Sequence, residues 1–504
     1  MASSSTATRG VTPVSALELA PALPRDSALD ERGRLTIGGC DTIELAREFG
    51  TPAYVVAEED LLSRARAFMA AGRAAGHEDF HVVFAAKAFP CTAVLELFAR
   101  EGLWCDVASG GELHLALAAG FAPERIVLHG NAKSESELRM ALDAGVGLIV
   151  IDNFDEIDRL ERLTGEGTPS EGMRGEGARG EGTHSEGMHS EGTRSEGTPS
   201  EGRHGEGLDY EGTRGGRVQD VLIRVTPDVR GDTHDHISTG QADSKFGFGM
   251  VDAAEAVARI ARVPGLRLVG VHGHIGSQLL ELEPFRREVC ELAALRAELG
   301  SRLGEDLGPN PVWDLGGGLG VRYTADQPEP PSIEEYVGAL VSAASEHGMG
   351  AGSGMGAGSG ARLLIEPGRS LTATAGVTLY TVESVKHNVR HWVAVDGGMS
   401  DNLRPMLYGA RYEAHVADRL GGTTECVLAG KHCESGDVIV GEALLDDPRP
   451  GDVIVTPATG AYGYAMSSNY NGVTRPPVIF CRDGHARVVV RRETFDDLTA
   501  RDVH

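Results

Sequence analysis

The chain has 504 residues, of which 41% are hydrophobic, so it is long enough for two domains with substantial cores. Acidic residues outnumber basic residues by 74 to 47, and the net charge of −27 argues against nucleic acid or an anionic membrane as a partner. The apolar runs have the length of strands, so the sequence predicts no transmembrane helix.

Residues 1–25 begin MASSSTATRGVTPVS and contain no apolar core of a secretory signal. We expect them to form a disordered tail. The seven cysteines are scattered without a CxxC pair, which favours reduced thiols and a cytoplasmic location. Residues 26–56, which include LTIGGCDTIELAREFGTPAYVV, are expected to supply part of a β-domain.

In residues 57–370, short apolar runs alternate with amphipathic segments of helical period. Apolar strands that alternate with helices predict a parallel sheet that is covered on both faces. Eight such units in series predict a (β/α)8 barrel, in which active sites lie at the carboxyl ends of the strands. The predicted strands are HVVFAAK, LWCDVAS, RIVLHGN, GLIVID, VLIRVTP, LVGVHGHIGS, VWDLGGG and RLLIEPGR.

Two low-complexity segments interrupt the predicted barrel. Residues 165–214 contain pentapeptides such as SEGTR, and residues 348–360 read GMGAGSGMGAGSG. Both segments are rich in glycine and nearly free of large apolar side chains, so we expect them to be disordered insertions. Each precedes a strand, which places both at the amino-terminal face of the barrel, opposite the chemistry.

After residue 370 the helical segments become rare, and strands such as GVTLYTVESVKH and HWVAVDGGM follow one another. This pattern predicts a mainly-β domain in residues 371–504. The expected fold class is therefore α/β plus β: a (β/α)8 barrel and a C-terminal β-domain that the N-terminal segment completes.

Lys87 follows the first predicted barrel strand directly. Taken alone, it could be an ordinary surface lysine at a strand end. The other strand ends favour a chemical role instead, because each of them also carries polar residues or glycines. These residues are Asp106, Ser109, His129, Asp152, His274, Ser277, Gly316, Gly317, Gly318, Glu366 and Arg369.

Ten motifs in order resemble the group IV (fold type III) pyridoxal 5′-phosphate (PLP)-dependent decarboxylases, and within them the diaminopimelate decarboxylases. The resemblance covers nearly the whole chain apart from the tail and the two insertions. It implies a PLP-binding barrel and the decarboxylation of meso-2,6-diaminopimelate to L-lysine and CO2, the last step of lysine biosynthesis. The motifs are FAAKA, DVASGGEL, LHGNAKS, ISTGQADSKFGFG, HGHIGSQ, DLGGGLG, EPGRSL, DNLRPMLYGA, HCESGD and GAYGYAMSSNYN.

By this resemblance, Lys87 forms the Schiff base with PLP, whose aldehyde requires an amine. We expect desolvation at the barrel mouth to help Lys87 lose its proton. Glu366 matches the carboxylate that pairs with the pyridine nitrogen, and His274 the imidazole that stacks on the ring. The other positions that match cofactor-binding residues are Asp106, His129, Ser277, Gly317, Gly318, Gly368, Arg369 and Tyr462.

The resemblance also implies how the substrate is bound. A guanidinium suits the second carboxylate of diaminopimelate, which lies far from the reacting carbon. Cys433 matches the proton donor, and in this family it comes from the neighbouring subunit, so a homodimer with shared active sites is implied. The positions that match substrate-binding residues are Arg369, Arg404, Tyr408, Glu434 and Tyr462, of which Glu434 also belongs to the neighbouring subunit.

Several of these residues have simpler explanations. Cys433 alone would more often be a small buried hydrophobic residue, and Arg404 an ordinary surface arginine. His272 and His274 form an H-x-H pattern, but no cysteine or carboxylate cluster accompanies them in the sequence, so no metal site is predicted. His234 and His236 lie in a polar loop and receive no role.

Two other functions stay open at this point. A sister enzyme would decarboxylate ornithine, arginine or carboxynorspermidine. These substrates have no distal carboxylate that Arg369 and Arg404 could bind. A non-catalytic PLP-binding homologue would be expected to lose Lys87 or Cys433, and both are present.

Overall fold

The computed structural model describes residues 15–165, 218–226, 244–303, 311–349 and 360–503. Residues 1–14 and 166–214, which we expected to be disordered, lie outside the described part of the chain. The loop with His234 and His236 also lies outside it. Within the described part of the chain, no helix is both long and apolar enough to cross a membrane.

The described part of the N-terminal segment starts at Ser15 and packs on the β-domain. Its elements are α1 (Ala16–Leu19), β1 (Ala28–Leu29), β2 (Leu35–Ile37), β3 (Cys40–Asp41), α2 (Thr42–Phe49) and β4 (Ala53–Ala57). β1, β2 and β3 form a small antiparallel sheet, whereas β4 joins the main sheet of the β-domain.

The prediction that residues 1–25 form a disordered tail is wrong for residues 15–25. Ser15 caps α1 in a reciprocal capping box with Glu18. Ala16, Ala20 and Leu23 are buried in one apolar cluster with residues of the β-domain. Burial of these side chains offsets the entropy lost on ordering the segment.

The barrel follows as predicted, with eight parallel strands in a closed ring whose order is that of the chain. The strands are β5 (Phe80–Ala85), β6 (Trp104–Val107), β7 (Ile126–Leu128), β8 (Leu148–Ile151), β9 (Gln219–Val225), β10 (Leu266–Gly273), β11 (Val312–Asp314) and β12 (Arg362–Ile365). Each of the eight predicted apolar runs forms one of these strands, so the predicted barrel is confirmed. Its interior is filled by an apolar cluster that includes Val83, Val127, Leu222 and Leu364.

The helices α3 (Glu58–Ala74), α4 (Thr92–Arg100), α5 (Gly110–Ala118), α6 (Glu135–Ala144), α7 (Phe154–Gly165), α8 (Met250–Ile260), α9 (Glu283–Leu303) and α10 (Ile333–Glu346) surround the barrel. α6 shows why they begin and end where they do: Ser134 and Glu137 form a capping box at its start, and Gly145 ends it in the left-handed region. The second insertion was expected to begin at residue 348, yet Met349 is fully buried against the barrel. The rest of that insertion, residues 350–359, is not described.

The short helix α11 (Arg369–Thr372) leads from the barrel to the β-domain. That domain contains β13 (Gly376–His387), β14 (His391–Val395), α12 (Arg404–Tyr408), β15 (His415–Val416), β16 (Thr424–Ala429), β17 (Val438–Leu445), β18 (Val453–Thr456), β19 (Val478–Arg482), β20 (His485–Val490) and α13 (Phe495–Thr499). β4 of the N-terminal segment lies between β13 and β19 in its main sheet, which confirms that this segment completes the domain. The boundaries at residues 57 and 370 stay predictions.

Candidate active site

Lys87 lies in a single helical turn directly after β5, at the carboxyl end of the barrel. Its Nζ donates a hydrogen bond to Oδ2 of Asp106 at the end of β6, over 3.1 Å. Asp106 is fully buried, whereas the Lys87 side chain is half-exposed. The two residues therefore form an ion pair at the mouth of the barrel.

We expected Lys87 to lose its proton readily, but this arrangement favours the protonated form. The charge of Asp106 raises the pKa of Lys87 above its usual value, and this outweighs desolvation, which acts in the opposite direction. Lys87 is thus a charged ammonium before it reacts. The sequence reasoning failed here because it counted the desolvation and left out the neighbouring carboxylate.

Glu366 follows β12 and is held by two buried histidines. Nε2 of His272 donates to Oε2 of Glu366 over 3.3 Å, and Nε2 of His129 lies 2.7 Å from Oε1. Although burial opposes ionisation, these imidazoles hold the pKa of Glu366 well below its usual range. Burial lowers the pKa of His272 to about 4, so its contact with Glu366 is a hydrogen bond rather than an ion pair. Glu366 therefore offers a buried, ionised carboxylate.

Two further buried charged residues surround Glu366 and were not singled out from the sequence. Burial, together with the charge of Glu366, raises the pKa of Asp314 well above its usual value, so Asp314 keeps its proton. Arg224 on β9 is also buried; burial lowers the pKa of its guanidinium, and the charges of Asp152, Glu366 and Asp106 oppose this effect. An arginine inside the apolar run VLIRVTP was a signal, because a buried arginine needs anionic partners.

The expectation that no carboxylates accompany the H-x-H histidines is wrong for His272. Ligand atoms of His129, His272, Asp314 and Glu366 all lie within 4.8 Å of one another. Such a group could in principle hold a cation. The absence of a metal stays a prediction.

His274 follows β10 and lies against the glycine-rich loop after β11. The N–H of Gly317 donates to Nδ1 of His274 over 3.3 Å. Burial lowers the pKa of His274 well below its usual value, so its ring is neutral and suited to stacking on another ring. A Cβ at position 317 would come within 2.2 Å of the carbonyl oxygen of Glu366. Only glycine allows this close approach of the two loops.

Arg369 begins α11 and Arg404 begins α12, and both guanidinium groups are buried. Nε and Nη2 of Arg369 donate to Oγ of Ser277, at 3.2 and 3.0 Å. Nη1 of each arginine also donates to the hydroxyl of Tyr323, which thus joins them. Arg404, which precedes Pro405, could have been an ordinary surface arginine. Its burial shows that it is not.

Tyr462 links the β-domain to the turn that carries Lys87. Its N–H donates to the carbonyl of Ala88 over 2.8 Å, and its φ is +62°. Its ring centroid lies 5.0 Å from the guanidinium carbon of Arg369 and 5.9 Å from that of Arg404. Gly368 packs beside the same turn. A Cβ added at Gly368 would lie 3.1 Å from the Cβ atoms of Ala85 and Ala88.

Cys433 and Glu434 are exposed on a loop of the β-domain and have other neighbours. The N–H of Cys433 donates to Oδ1 of Asn471 over 3.1 Å, and the hydroxyl of Tyr470 donates to Glu434. Their described contacts within this chain include neither Lys87 nor the arginines. Tyr408 ends α12 half-buried.

The tyrosines that accept hydrogen bonds from Arg404 are Tyr323 and Tyr412, and neither was predicted from the sequence. Tyr412 accepts a hydrogen bond from the same Nη1 as Tyr323. Tyr323 lies soon after the motif DLGGGLG, and this position was only a weak indication of a role in the site. The sequence does not determine the path of the loop that follows the motif.

The polar atoms of this pocket fit PLP. Glu366 offers an ionised carboxylate of the kind that a protonated ring nitrogen requires, and the neutral His274 ring lies close by. Asp106 Oδ1 and His272 Nδ1 are buried and have no hydrogen-bond partner among the described residues. The loop of Gly316, Gly317 and Gly318 suits a phosphate. PLP would satisfy groups that the protein alone leaves unpaired.

Comparison with known proteins gives the same result. A family described as "Pyridoxal-dependent decarboxylase, pyridoxal binding domain" matches residues 62–179 and 209–373. Diaminopimelate decarboxylase of Bacillus subtilis (strain 168) is 40% identical over 483 residues, which are 95% of this chain and 97% of the relative. That of Actinosynnema pretiosum subsp. auranticum is 42% identical over 480 residues, 94% of this chain and 93% of the relative.

A solved structure is also similar along almost the whole chain. The crystal structure of diaminopimelate decarboxylase from M. jannaschii in co-complex with L-lysine has a TM-score of 0.79 and 29% sequence identity. The match covers 95% of this chain and 98% of that chain. Both domains are therefore shared, and not the barrel alone.

Proposed function

The chain belongs to the diaminopimelate decarboxylases of the pyridoxal-dependent decarboxylase family, and from this premise we propose which residues carry its reaction. It decarboxylates meso-2,6-diaminopimelate to L-lysine and CO2, the last step of lysine biosynthesis, with PLP as its cofactor. The observation that carries the proposal is Lys87 at the barrel mouth, in the same pocket as the ionised Glu366.

Lys87 holds the cofactor covalently through Nζ, and it must give up a proton before it can do so. Oδ2 of Asp106, 3.1 Å away, stabilises the charged form of Lys87 before this step. When bound, PLP would supply an electron sink for the α-carbon of the substrate. Glu366 would keep the ring nitrogen protonated, and neutral His274 would stack on the ring face.

Arg369 and Arg404 bind the distal carboxylate of the substrate. Both guanidinium groups are buried, and their described side-chain hydrogen bonds go to hydroxyl groups of Ser277, Tyr323 and Tyr412. Among the described residues neither guanidinium pairs with a carboxylate, and two such buried cations attract an anion strongly. The distal carboxylate is the group that distinguishes diaminopimelate from ornithine, so this pair favours diaminopimelate over the substrates of the sister decarboxylases.

Cys433 donates the proton that replaces CO2, and Glu434 binds the distal ammonium, both reaching the site from a second copy of the chain. Their exposure on a loop that has no described contact with Lys87 supports this assignment, because an exposed thiol and carboxylate can enter a partner's pocket. The protein would then act as a homodimer with two shared sites. Tyr408 completes the substrate pocket at the end of α12.

Release of CO2 from meso-diaminopimelate and from L-ornithine, measured on the PLP-loaded protein, tests this function. We expect rapid turnover of the first and at least about a hundredfold lower kcat/KM for the second, since ornithine leaves both buried arginines unpaired. Equal turnover of both substrates would contradict the role of the arginines. A PLP-loaded protein that releases no CO2 from either would instead be a non-catalytic homologue.

A further inference from the structure

Tyr323 occupies the position between the two buried arginines. Its hydroxyl oxygen accepts hydrogen bonds from Nη1 of Arg369 and from Nη1 of Arg404, the latter over 3.0 Å. Its ring lies 5.8 Å from the guanidinium carbon of Arg369 and 5.1 Å from that of Arg404. Only 4% of Tyr323 is exposed, so these contacts are protected from water.

The geometry leaves the proton of Tyr323 unused. A hydroxyl has two acceptor lone pairs and one donor, and both described side-chain bonds use the oxygen as acceptor. The donor is thus available for a group that enters beside the two guanidinium groups. An incoming carboxylate is the chemical class that accepts from a hydroxyl and from two arginines together.

We propose that Tyr323 is a specificity-determining residue, which spaces Arg369 and Arg404 and donates its own proton to the substrate's distal carboxylate. This inference rests on the proposed function, because it assumes that the two arginines bind that carboxylate. It adds a third group to the site and a condition for binding, namely that the phenol keeps its proton. A phenolate would lack the donor and would repel the carboxylate.

The electrostatics of the site make this condition testable. Although burial opposes ionisation, the charges of Arg369 and Arg404 lower the pKa of Tyr323 below its usual value. A bound carboxylate raises the pKa of the phenol again, because like charges repel. Substrate binding is therefore accompanied by proton uptake on the alkaline side, and affinity falls as the pH rises through the pKa of the free site.

Other titratable groups face the same site and must be separated from Tyr323. Tyr412 stacks edge-on with Tyr323 at 5.2 Å and contacts Arg404, but burial raises its pKa to about 12. Tyr462 faces both arginines from the β-domain. Tyr412 thus provides a matched control, because it shares Arg404 with Tyr323 and has no described contact with Arg369.

The test uses pimelate, which has both carboxylates of the substrate and neither of its ammonium groups, so the probe itself does not titrate at alkaline pH. Its competitive inhibition constant is measured across the alkaline range on PLP-loaded wild type, Tyr323→Phe and Tyr412→Phe. For wild type we expect the constant to rise with pH, by at most about tenfold per pH unit, the limit for one linked proton.

Tyr323→Phe should bind pimelate roughly tenfold or more weakly at neutral pH, should lose the alkaline rise and should raise KM far more than it lowers kcat. Tyr412→Phe should keep the alkaline rise. Calorimetry of pimelate binding to wild type in two buffers of different ionisation enthalpy detects the proton uptake directly, without any variant.

The outcomes separate the two proposals. If pimelate does not compete with diaminopimelate in wild type, the proposed carboxylate site itself is wrong. If it competes, but the pH profile of Tyr323→Phe equals that of wild type, only the role of Tyr323 is overturned. No proton uptake in calorimetry, or loss of the alkaline rise in Tyr412→Phe instead, would overturn it as well.

Discussion

At the scale of the residue, a neighbouring charge changes what burial alone would do. Lys87 is the main case, because Asp106 keeps it protonated at a position where an amine is required. Glu366 is a second case, since its histidine partners keep it ionised in a buried position. In both cases the chemistry depends on a contact between two strand ends.

Replacement of Lys87 by alanine should abolish covalent capture of PLP and leave less than about one tenth of wild-type turnover, because Lys87 supplies the amine for the aldehyde. The visible absorbance of the bound cofactor and CO2 release measure the two effects. Lys386→Ala, at an exposed position on β13, is the matched control and should behave like wild type. Substantial turnover by the Lys87 variant would show that another residue holds the cofactor.

Replacement of Asp106 by asparagine should lower the pKa of Lys87, because it removes the charge that raises it. An amine stays protonated until the pH exceeds its pKa. Lys87 should therefore become a free amine at a lower pH in the variant than in wild type. The rate at which cofactor-free protein captures PLP, measured as a function of pH, should therefore reach its midpoint at lower pH than in wild type. A midpoint that does not move would mean that Asp106 does not control Lys87.

At the scale of the element, the strand ends were predictable and the contacts between loops were not. The eight apolar runs identified the barrel, and parallel strands bring their carboxyl ends to one face, so Lys87, His274 and Glu366 could be grouped from sequence alone. Whether Tyr323 turns towards Arg404 depends on the path of a loop, which no periodicity encodes. The burial of Ala20 and Leu23 depends in the same way on distant partners in the β-domain.

Gly317→Ala should greatly weaken PLP binding, because its Cβ would lie 2.2 Å from the carbonyl oxygen of Glu366 and would push the two loops apart. Gly338 is the matched control, since it lies in α10 of the same β/α unit and an added Cβ meets nothing within 4 Å. Gly338→Ala should raise the free energy of unfolding by up to about 1 kcal/mol and leave PLP affinity unchanged. Equal PLP affinity in both variants would contradict the assigned role of the loop.

At the scale of the whole molecule, the site combines both domains. The barrel supplies Lys87 and Glu366, whereas the β-domain supplies Arg404 and Tyr462. The exposed Cys433 loop also belongs to the β-domain, and we propose that it serves a second copy. This arrangement predicts that neither domain is active alone.

Hybrid dimers test the sharing of sites. Cys433→Ala should bind PLP and substrate but should turn over roughly 10²–10⁴-fold more slowly, the usual contribution of a positioned acid. Mixed with Lys87→Ala chains, it should regain activity, because one of the two sites in a hybrid would then combine an intact Lys87 with an intact Cys433. If subunit exchange is confirmed and activity does not return, both residues act within one chain.

The first insertion connects α7, which ends at Gly165, to β9, which begins at Gln219. Gln219 lies at the amino-terminal end of its strand, opposite Lys87, and the seven residues of β9 span about 20 Å. A connection of this kind is far from the chemistry. A loop of about 50 residues in place of one of about five costs only roughly 2 kcal/mol of closure entropy.

We therefore predict that a short Gly-Ser link in place of residues 165–214 leaves kcat and KM within about threefold of wild type, since the barrel mouth does not change. The free energy of unfolding should be equal or slightly higher, because a shorter loop loses less entropy on folding. Steady-state kinetics and chemical denaturation of the PLP-loaded protein measure both. A tenfold lower kcat in folded, fully loaded protein would show that the insertion acts at the active site.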